Sequence, residues 1–393
     1  MLNGIRGLAR RALIPGLAVV TAFLLGAVLI VLTDFEHLAM LGSDPLGAIG
    51  GALDVVLRGY GAMLSRAVGD PGQIMAALQS GSEADVSRAI RPLTEALLFA
   101  TPLIFVTLAI GVGFHAGLFN LGGDGQFLMG GLGAVLGASA LAELGSPVVI
   151  LIGALSVGML FGAAYGFVPG LLKARTGAHE VITTLMLNTI AAQIVFYVGR
   201  TGALSSNVSA ITGVPRIFDL PGIRLDWAFP IALLVAAVIS FVLFRTGLGL
   251  ELRVTGFSRT AAHYAGMRPG RTTVLALSLS GAIAGMGGAF LALGPAGGLS
   301  GAGAGFVPLA LALLGGLRPS GIVLAALLYG ALNNGAKGMV IETGVPLDLL
   351  VVVIALAVMF VAAPGLTRTI WRRPTERDRD GSPLVPAQPT EGI

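Results

Sequence analysis

Ten long apolar runs, almost free of charge, restrict what this chain can fold into. Most of them approach the roughly 20 residues that a helix needs to cross a hydrocarbon core of about 30 Å. Apolar runs of this length span lipid as helices, because a helix satisfies its own backbone hydrogen bonds. The sequence therefore predicts an all-α, polytopic membrane protein of about ten transmembrane helices. The predicted spans are residues 14–33, 93–113, 122–142, 147–169, 181–199, 227–244, 273–294, 305–317, 320–337 and 346–364.

The composition agrees with membrane residence and excludes several chemistries. Hydrophobic residues make up 55% of the chain and charged residues 11%, which is too little charge to cover the surface of a soluble protein of this length. The chain has no cysteine, so disulfides and thiolate catalysis are excluded. Its four histidines lack metal-binding spacing, so no metal site is predicted.

The basic residues predict how the chain is oriented. They cluster before the first span, after the fourth, in the 245–272 loop and after the last span. With ten spans these positions share one side, which the positive-inside rule makes cytoplasmic, so both termini are predicted to be cytoplasmic. Arg200, Arg216 and Arg224 fall in an outside loop and depart from the rule.

These signals divide the chain into segments. Residues 1–13 form a cytoplasmic N-terminus, and residues 14–365 form the transmembrane domain, whose first apolar run is read as a retained helix rather than a signal peptide. Residues 34–92 carry mixed charges and are predicted to form short extracytoplasmic helices. Residues 366–393 lack apolar periodicity and are predicted to be a disordered cytoplasmic tail.

Three polar segments interrupt the apolar pattern, and the first polar segment (residues 114–126) lies between the second and third spans. Its glycines permit irregular backbone, and Asn120, Asp124 and Gln126 can satisfy freed amides or cap the next helix. A helix-capping loop is one interpretation. The other is that Asn120 and Gln126 line a substrate pathway.

The second polar segment (residues 177–188) opens the fifth span. Thr184 and Asn188 are four residues apart and share a helix face. An amide within the membrane faces protein or water rather than lipid, so Asn188 and Gln193 are candidates to line a pathway, together with Thr184. Hydrogen bonding between helices is the equally supported alternative.

The third polar segment (residues 250–266) is compatible with a helix and mixed in polarity. It is either a basic interfacial loop or a docking helix for a cytoplasmic partner. No nucleotide-binding GxxxxGK[ST] motif occurs, so if the protein uses ATP, another chain binds it.

Glycines recur every fourth residue in two of the spans. Gly162, Gly166 and Gly170 form one such stripe, and Gly281 and Gly285 form another. Small residues at this spacing lie on one helix face and predict a close approach of neighbouring helices.

The polar segments resemble those of a known family, the permease subunits of ABC importers for branched-chain amino acids, ribose and nucleosides, and above all the nucleoside (guanosine-type) uptake permeases. Residues 117–126 are similar to the family's G-L-F-N-I-G-x-E-G-Q motif, with Asp124 in place of glutamate. Residues 179–188 are similar to N-E-V-I-x-T-x-M-L-N, with His179 in place of asparagine. Residues 260–266 match E-A-A-x-x-x-G, with Thr260 replacing the glutamate. The resemblance covers roughly residues 90–365.

This resemblance implies a type II ABC importer permease fold that translocates nucleosides across the bacterial cytoplasmic membrane. It implies three partners besides membrane lipid: a second homologous permease, a cytoplasmic ATPase with two nucleotide-binding domains and an extracytoplasmic substrate-binding lipoprotein. The chain itself would be a transport subunit with no enzyme activity or cofactor, since ATP and Mg²⁺ belong to the ATPase, and it would bind no nucleic acid. The ATPase would contact Arg259, Thr260, Ala261, Ala262 and Gly266.

Other functions remain open at this point. Ribose-like sugars are the alternative cargo, and the permease pair could be two copies or two different chains. An ion-coupled secondary transporter would use carboxylates or histidines within the membrane, and the predicted spans contain almost none. An intramembrane enzyme would need catalytic groups at membrane depth, which the spans also lack.

Overall fold

The computed structural model describes residue 17 and residues 20–144, 146–200, 214–218, 220–294, 306–363, 370 and 371. Within these ranges the regular structure is helical, apart from an isolated bridge between Arg216 and Asp226 and a short 3₁₀ turn. The α-helices are α1 (Val20–Thr33), α2 (Phe35–Met40), α3 (Pro45–Val68), α4 (Pro71–Ser80), α5 (Glu83–His115), α6 (Gly123–Ala140), α7 (Pro147–Thr176), α8 (Glu180–Arg200), α9 (Ala228–Arg245), α10 (Gly247–Phe257), α11 (Arg259–Tyr264), α12 (Pro269–Leu293), α13 (Val307–Leu314), α14 (Pro319–Thr343) and α15 (Leu347–Ala362).

Each of the ten predicted spans overlaps a helix of the structure, which confirms the prediction of an all-α, polytopic membrane protein. Five of the described helices are long and apolar enough to cross a membrane by themselves: α5, α7, α8, α9 and α12. The other predicted spans correspond to α1, α6, α13, α14 and α15.

Helix α13 is the shortest of these ten. Its eight residues extend only about 12 Å, less than half the hydrocarbon thickness. A tight turn with positive φ at Gly316 and Leu317 connects it to α14. The backbone N–H of Leu317 donates to Ala312 O at 2.9 Å, which closes the turn. The predicted span at residues 305–317 is therefore a short helix that turns directly into the next one.

The segment at residues 34–92 differs in part from its prediction. Helices α2 and α4 are short, but α3 is 24 residues long and packs along α14. Its charges do not interrupt it, because Asp54 and Arg58 form an ion pair of 2.6 Å one turn apart on the exposed side. The expectation of short helices alone is therefore wrong for α3, and the side of the membrane on which this segment lies stays a prediction.

Helices α6, α7 and α12 pack through glycine. The buried residues of α7 fall mainly on one stripe at spacing four that includes Gly158, Gly162, Gly166 and Gly170. A Cβ atom on Gly162 would lie 2.7 Å from the Cα of Gly285 on α12, so the two backbones are in direct contact there. The close helix approach predicted from glycine spacing is confirmed.

Helix α5 runs through the centre of the main hydrophobic core. Every residue from Leu103 to Gly113 is buried, as expected of a helix that is apolar all round. A second core lies where α1, α3, α14 and α15 meet, around residues such as Met63, Met339 and Ile354. The polar groups described below lie at the ends of these packed helices.

A hairpin precedes α9. The backbone N–H of Ile217 donates to Leu225 O at 2.9 Å, and that of Val214 donates to Leu293 O at 3.1 Å, which ties the hairpin to α12. Asp226 lies in it with 3% of its surface exposed and accepts a hydrogen bond from the backbone N–H of Ala228 at 3.0 Å. Burial raises the pKa of the Asp226 carboxyl to about 6.

The predicted N-terminus (residues 1–13) and most of the predicted tail (residues 366–393) lie outside the described residues. Within the tail, Ile370 and Trp371 are described. The indole N–H of Trp371 donates to Thr21 Oγ1 of α1 at 2.8 Å. Trp371 is therefore held against α1, and the predicted disorder does not apply to this residue.

Candidate functional site

The first polar segment folds into a buried hydrogen-bond network. Asn120 is fully buried, and its Nδ2 donates to Ser280 Oγ at 2.6 Å and to Gln126 Oε1 at 3.1 Å. Asn120 Oδ1 accepts from the backbone N–H of Gly122 at 2.9 Å. Ser280 in turn donates to Ala109 O of α5 at 2.6 Å. The network therefore fixes the segment to α5 and α12, whereas α6 itself begins at its N-cap Gly122 without a side-chain cap.

The second polar segment binds the first through Asn188. Its Oδ1 accepts from the backbone N–H of Gly125 at 2.9 Å, and its Nδ2 donates to Leu121 O at 2.7 Å. These bonds join α8 to the start of α6 across more than 60 positions of sequence. Tyr165 on α7 adds a bond from its hydroxyl to Leu187 O at 2.7 Å. The two motifs that carry the family resemblance thus form one structural unit.

The other two pathway candidates on α8 lie in different environments. Thr184 is fully buried, and its hydroxyl donates to Glu180 O at 2.7 Å within the helix. A Cβ atom on Gly122 would lie 3.0 Å from Thr184 Cβ, so Thr184 packs against the first polar segment. Gln193 lies on the exposed surface of α8, separate from this unit. The structure therefore brings together Asn120, Gln126, Thr184 and Asn188 but not Gln193.

A narrow cavity opens beside Asn188. Asp124 and Asn188 supply its polar lining, and Val106, Ile110 and Leu185 are among its apolar neighbours. Its volume is about 60 Å³, well below the roughly 300–1,000 Å³ of typical small-molecule sites. In this conformation the space beside Asn188 is too small for a solute the size of a nucleoside, so a pathway along it would require the helices to separate.

Helix α11 directly follows α10 and forms an exposed corner. Ser258 caps it, accepting from the backbone N–H of Ala261 at 3.2 Å, and Gly266 ends it with a φ of +80°, a conformation that favours glycine. Arg259, Thr260, Ala261 and Gly266 are exposed, whereas Ala262 is fully buried. Ala262 thus anchors the corner from inside, and its exposed neighbours are available to a partner.

Polar bonds fix this corner to α12. Arg259 Nη2 donates to Thr273 Oγ1 at 2.8 Å, and Thr272 Oγ1 donates to Glu251 Oε1 of α10 at 2.7 Å. A force applied to α11 would therefore reach α10 and α12 together.

A backbone contact joins α10 to the first polar segment. Gly256 on α10 lies against Gly117, and a Cβ atom on Gly117 would be 2.9 Å from the Cα of Gly256. Gly117 has a φ of +70°. Sequence reasoning pointed to irregular backbone at the glycines of residues 114–126, but it missed the contact with Gly256, as well as Ser280. Ser280 could have been found as a hydroxyl inside an apolar span, but nothing in the sequence distinguishes Gly256 from the other glycines of the chain.

The turn between α7 and α8 carries an ion pair. Lys173 Nζ lies 2.8 Å from Glu180 Oε2, and both side chains are largely buried. The pair holds the start of the second polar segment against the end of α7. Among the described residues, no three histidine or acidic side chains are close enough to hold a metal ion.

Long apolar helices, a buried polar unit at their ends and an exposed helical corner define the class of a polytopic membrane permease. The chain belongs to the family described as branched-chain amino acid transport system / permease component, whose family model matches residues 93–363. It is accordingly a multi-pass membrane protein and a transport subunit.

Several relatives are similar to this chain over most of their length. The guanosine ABC transporter permease protein NupP of Bacillus subtilis (strain 168) is 36% identical over 69% of this chain and 80% of its own. The nucleoside ABC transporter permease protein NupB of Lactococcus lactis subsp. cremoris is 30% identical over 90% of this chain and 91% of its own. The glucose ABC transporter permease protein TsgB13 of Haloferax volcanii is 31% identical over 76% of this chain and 83% of its own. No solved structure gives a significant match.

Proposed function

We propose that this chain is a permease subunit of an ATP-driven ABC importer that translocates nucleosides across the bacterial cytoplasmic membrane. The observation that carries the proposal is the similarity to two nucleoside permeases, one of which aligns with 90% of the chain. The structure adds support, because the two polar motifs shared with that group lie together and are joined by Asn188.

The chemistry of the buried unit suits an uncharged solute. Asn188 and its surroundings offer amide, hydroxyl and backbone groups, which can exchange hydrogen bonds with a sugar hydroxyl or a base edge. Tight binding is assigned to an extracytoplasmic lipoprotein, so the permease needs only transient contacts. Asn120, Gln126, Thr184 and Gln193 stay predicted pathway residues, and the first two would have to leave their present network to contact a solute.

The exposed corner at α11 is the proposed docking point for a cytoplasmic ATPase, which would bind ATP and Mg²⁺. Arg259, Thr260, Ala261 and Gly266 would form the contact, and Ala262 would keep the corner in place. In this arrangement both termini are cytoplasmic, and a second permease completes the pathway. Co-purification of an ATPase with the tagged chain tests this assembly; a chain purified from its native membrane without any ATPase would contradict it.

Glucose-type sugars are the second candidate cargo, because the Haloferax volcanii glucose permease is also 31% identical. Deletion of the gene followed by uptake of radiolabelled guanosine and radiolabelled glucose separates the two. We expect guanosine uptake to fall and to return with a plasmid copy, while glucose uptake stays unchanged. Loss of glucose uptake with normal guanosine uptake would replace the nucleoside assignment by the sugar one.

A further inference from the structure

A wide polar cavity lies far from the buried unit, where α3, α4, α5, α14 and the hairpin before α9 meet. Its volume is about 650 Å³, within the range of small-molecule sites. By the predicted orientation it opens at the extracytoplasmic end. We call it the basic cavity, since five cationic side chains line it: Arg66, Arg88, Arg91, Arg224 and Lys337.

Among the described residues, two carboxylates, those of Asp70 and Glu95, lie in the same wall, and both have hydrogen-bond partners. Glu95 pairs with Arg224 through two bonds, of 3.1 Å from Nε and 2.5 Å from Nη2, and this pairing raises the pKa of the Arg224 guanidinium. Asp70 Oδ1 accepts from the backbone N–H groups at the start of α4, at 2.8 Å from Gly72 and 3.3 Å from Gln73. Asp70 keeps its charge, so the wall carries five cations against two carboxylates, a net charge of +3.

Three cations of the basic cavity have no ion-pair partner within the described part of the chain. Arg88 pairs with Asp85 at 2.9 Å, but Arg66, Arg91 and Lys337 form no ion pair with any residue that the structure describes. Charges of one sign in a cleft reinforce each other's field and attract a ligand of the opposite sign. An anionic occupant would remove this repulsion.

The cations are carried on a fixed framework. Asn334 on α14 donates from Nδ2 to Arg66 O at 2.8 Å and to Pro92 O at 2.9 Å, so α3, α5 and α14 are tied at the level of the cavity. Lys337 lies one turn further along α14, with Nζ 5.3 Å from the centre of the Phe99 ring. A ligand that binds here would not have to order the backbone first, which favours affinity.

We propose that the basic cavity binds a ligand carrying a phosphate group. The fork of an arginine matches the oxygens of a phosphate, and a phosphate offers more acceptor oxygens than a carboxylate to three unpaired cations. The proposed nucleoside cargo is neutral, so this site differs from the transport pathway in both place and chemistry. The phosphate belongs either to a soluble anion or to a phospholipid headgroup at the extracytoplasmic surface of the cytoplasmic membrane.

Binding to the intact chain in nanodiscs distinguishes these sources. One arm uses phosphatidylcholine nanodiscs and radiolabelled inorganic phosphate in equilibrium dialysis. The other compares retention of phosphatidylglycerol and phosphatidylcholine by native mass spectrometry. Binding of inorganic phosphate assigns a soluble ligand, and selective retention of phosphatidylglycerol alone assigns a headgroup. Binding of neither probe overturns the proposal.

Arg66→Gln and Lys337→Gln locate the site, and Arg58→Gln is the matched control. Arg58 is on the same helix as Arg66 but is paired with Asp54 and does not line the cavity. We expect each cavity variant to weaken binding about tenfold, the effect of one lost charge-assisted bond, and the control to leave it unchanged. Equal effects of Arg58→Gln and Arg66→Gln, or no effect of either cavity variant, would refute the site. Melting temperatures of all three verify that they fold.

Discussion

A single methyl group at the crossing of α7 and α12 should destabilise the fold. In Gly162→Ala the new Cβ would lie 2.7 Å from the Cα of Gly285, whereas carbon atoms in ordinary contact are about 3.5–4.0 Å apart. The atoms it meets are backbone, which a rotamer change cannot move. The two helices would therefore have to separate by about 1 Å.

The magnitude follows from two opposing effects. Overpacking of this kind costs about 1–3 kcal/mol, and replacing glycine by alanine within a helix returns about 1 kcal/mol. Gly153 on the same helix supplies the matched control, because a Cβ there would meet only the side chain of Leu141, whose end can rotate away. We expect Gly153→Ala to be neutral or stabilising and Gly162→Ala to be less stable than it by about 1–3 kcal/mol.

Reversible unfolding of both variants in mixed micelles by SDS titration measures this difference. The reasoning requires Gly162→Ala to unfold at lower SDS than Gly153→Ala. Equal midpoints for the two variants, or a more stable Gly162→Ala, would show that the helices are not in backbone contact at this position.

Three further changes test other parts of the account. Asn188→Leu removes two hydrogen bonds to backbone groups, so both uptake and stability should fall, the latter by about 1–2 kcal/mol; a variant normal in both would assign no role to this side chain. Gly256→Ala pushes α10 away from the first polar segment, so ATP hydrolysis should continue with reduced uptake, whereas Gly247→Ala on the same helix meets nothing within 4 Å and should transport normally. Burial raises the folded-state pKa of Asp226 to about 6, above its ordinary 3.8, so this carboxyl contributes a loss of stability as pH rises from about 4 to 6. Asp226→Asn should remove this contribution and gain up to about 3 kcal/mol at pH 7 in a pH series of melting curves, and a pH profile unchanged from that of the parent protein would contradict the shift.

The sequence predicts the close packing of α7 and α12 because glycines four residues apart must share a helix face. It predicts the ten spans for a similar reason, since apolar length and composition are local properties. Helix α3 escapes this reasoning, because Asp54, Arg58 and Arg66 reduce its apolar character. The structure shows that a paired, exposed charge leaves the helix intact.

The candidate site is only partly predictable for a different reason. Thr184 and Asn188 are placed on one face by their spacing, and the same geometry puts Gln193 about 140° away from Asn188, which accounts for its exposure. The partners of Asn188 could not be predicted, because they are backbone groups of Leu121 and Gly125, and every residue except proline offers the same donor and acceptor. Contacts of this type depend on the tertiary fold.

Reconstituted transport tests the central claim most directly. The chain would be placed in proteoliposomes with its permease partner, ATPase and binding lipoprotein, and accumulation of radiolabelled guanosine measured with and without ATP. The account predicts that guanosine uptake requires ATP and the ATPase. It also predicts that unlabelled nucleosides reduce this uptake, while glucose and ribose leave it unchanged. Uptake by the chain without an ATPase, or ATP-driven uptake of sugars with none of guanosine, would contradict it.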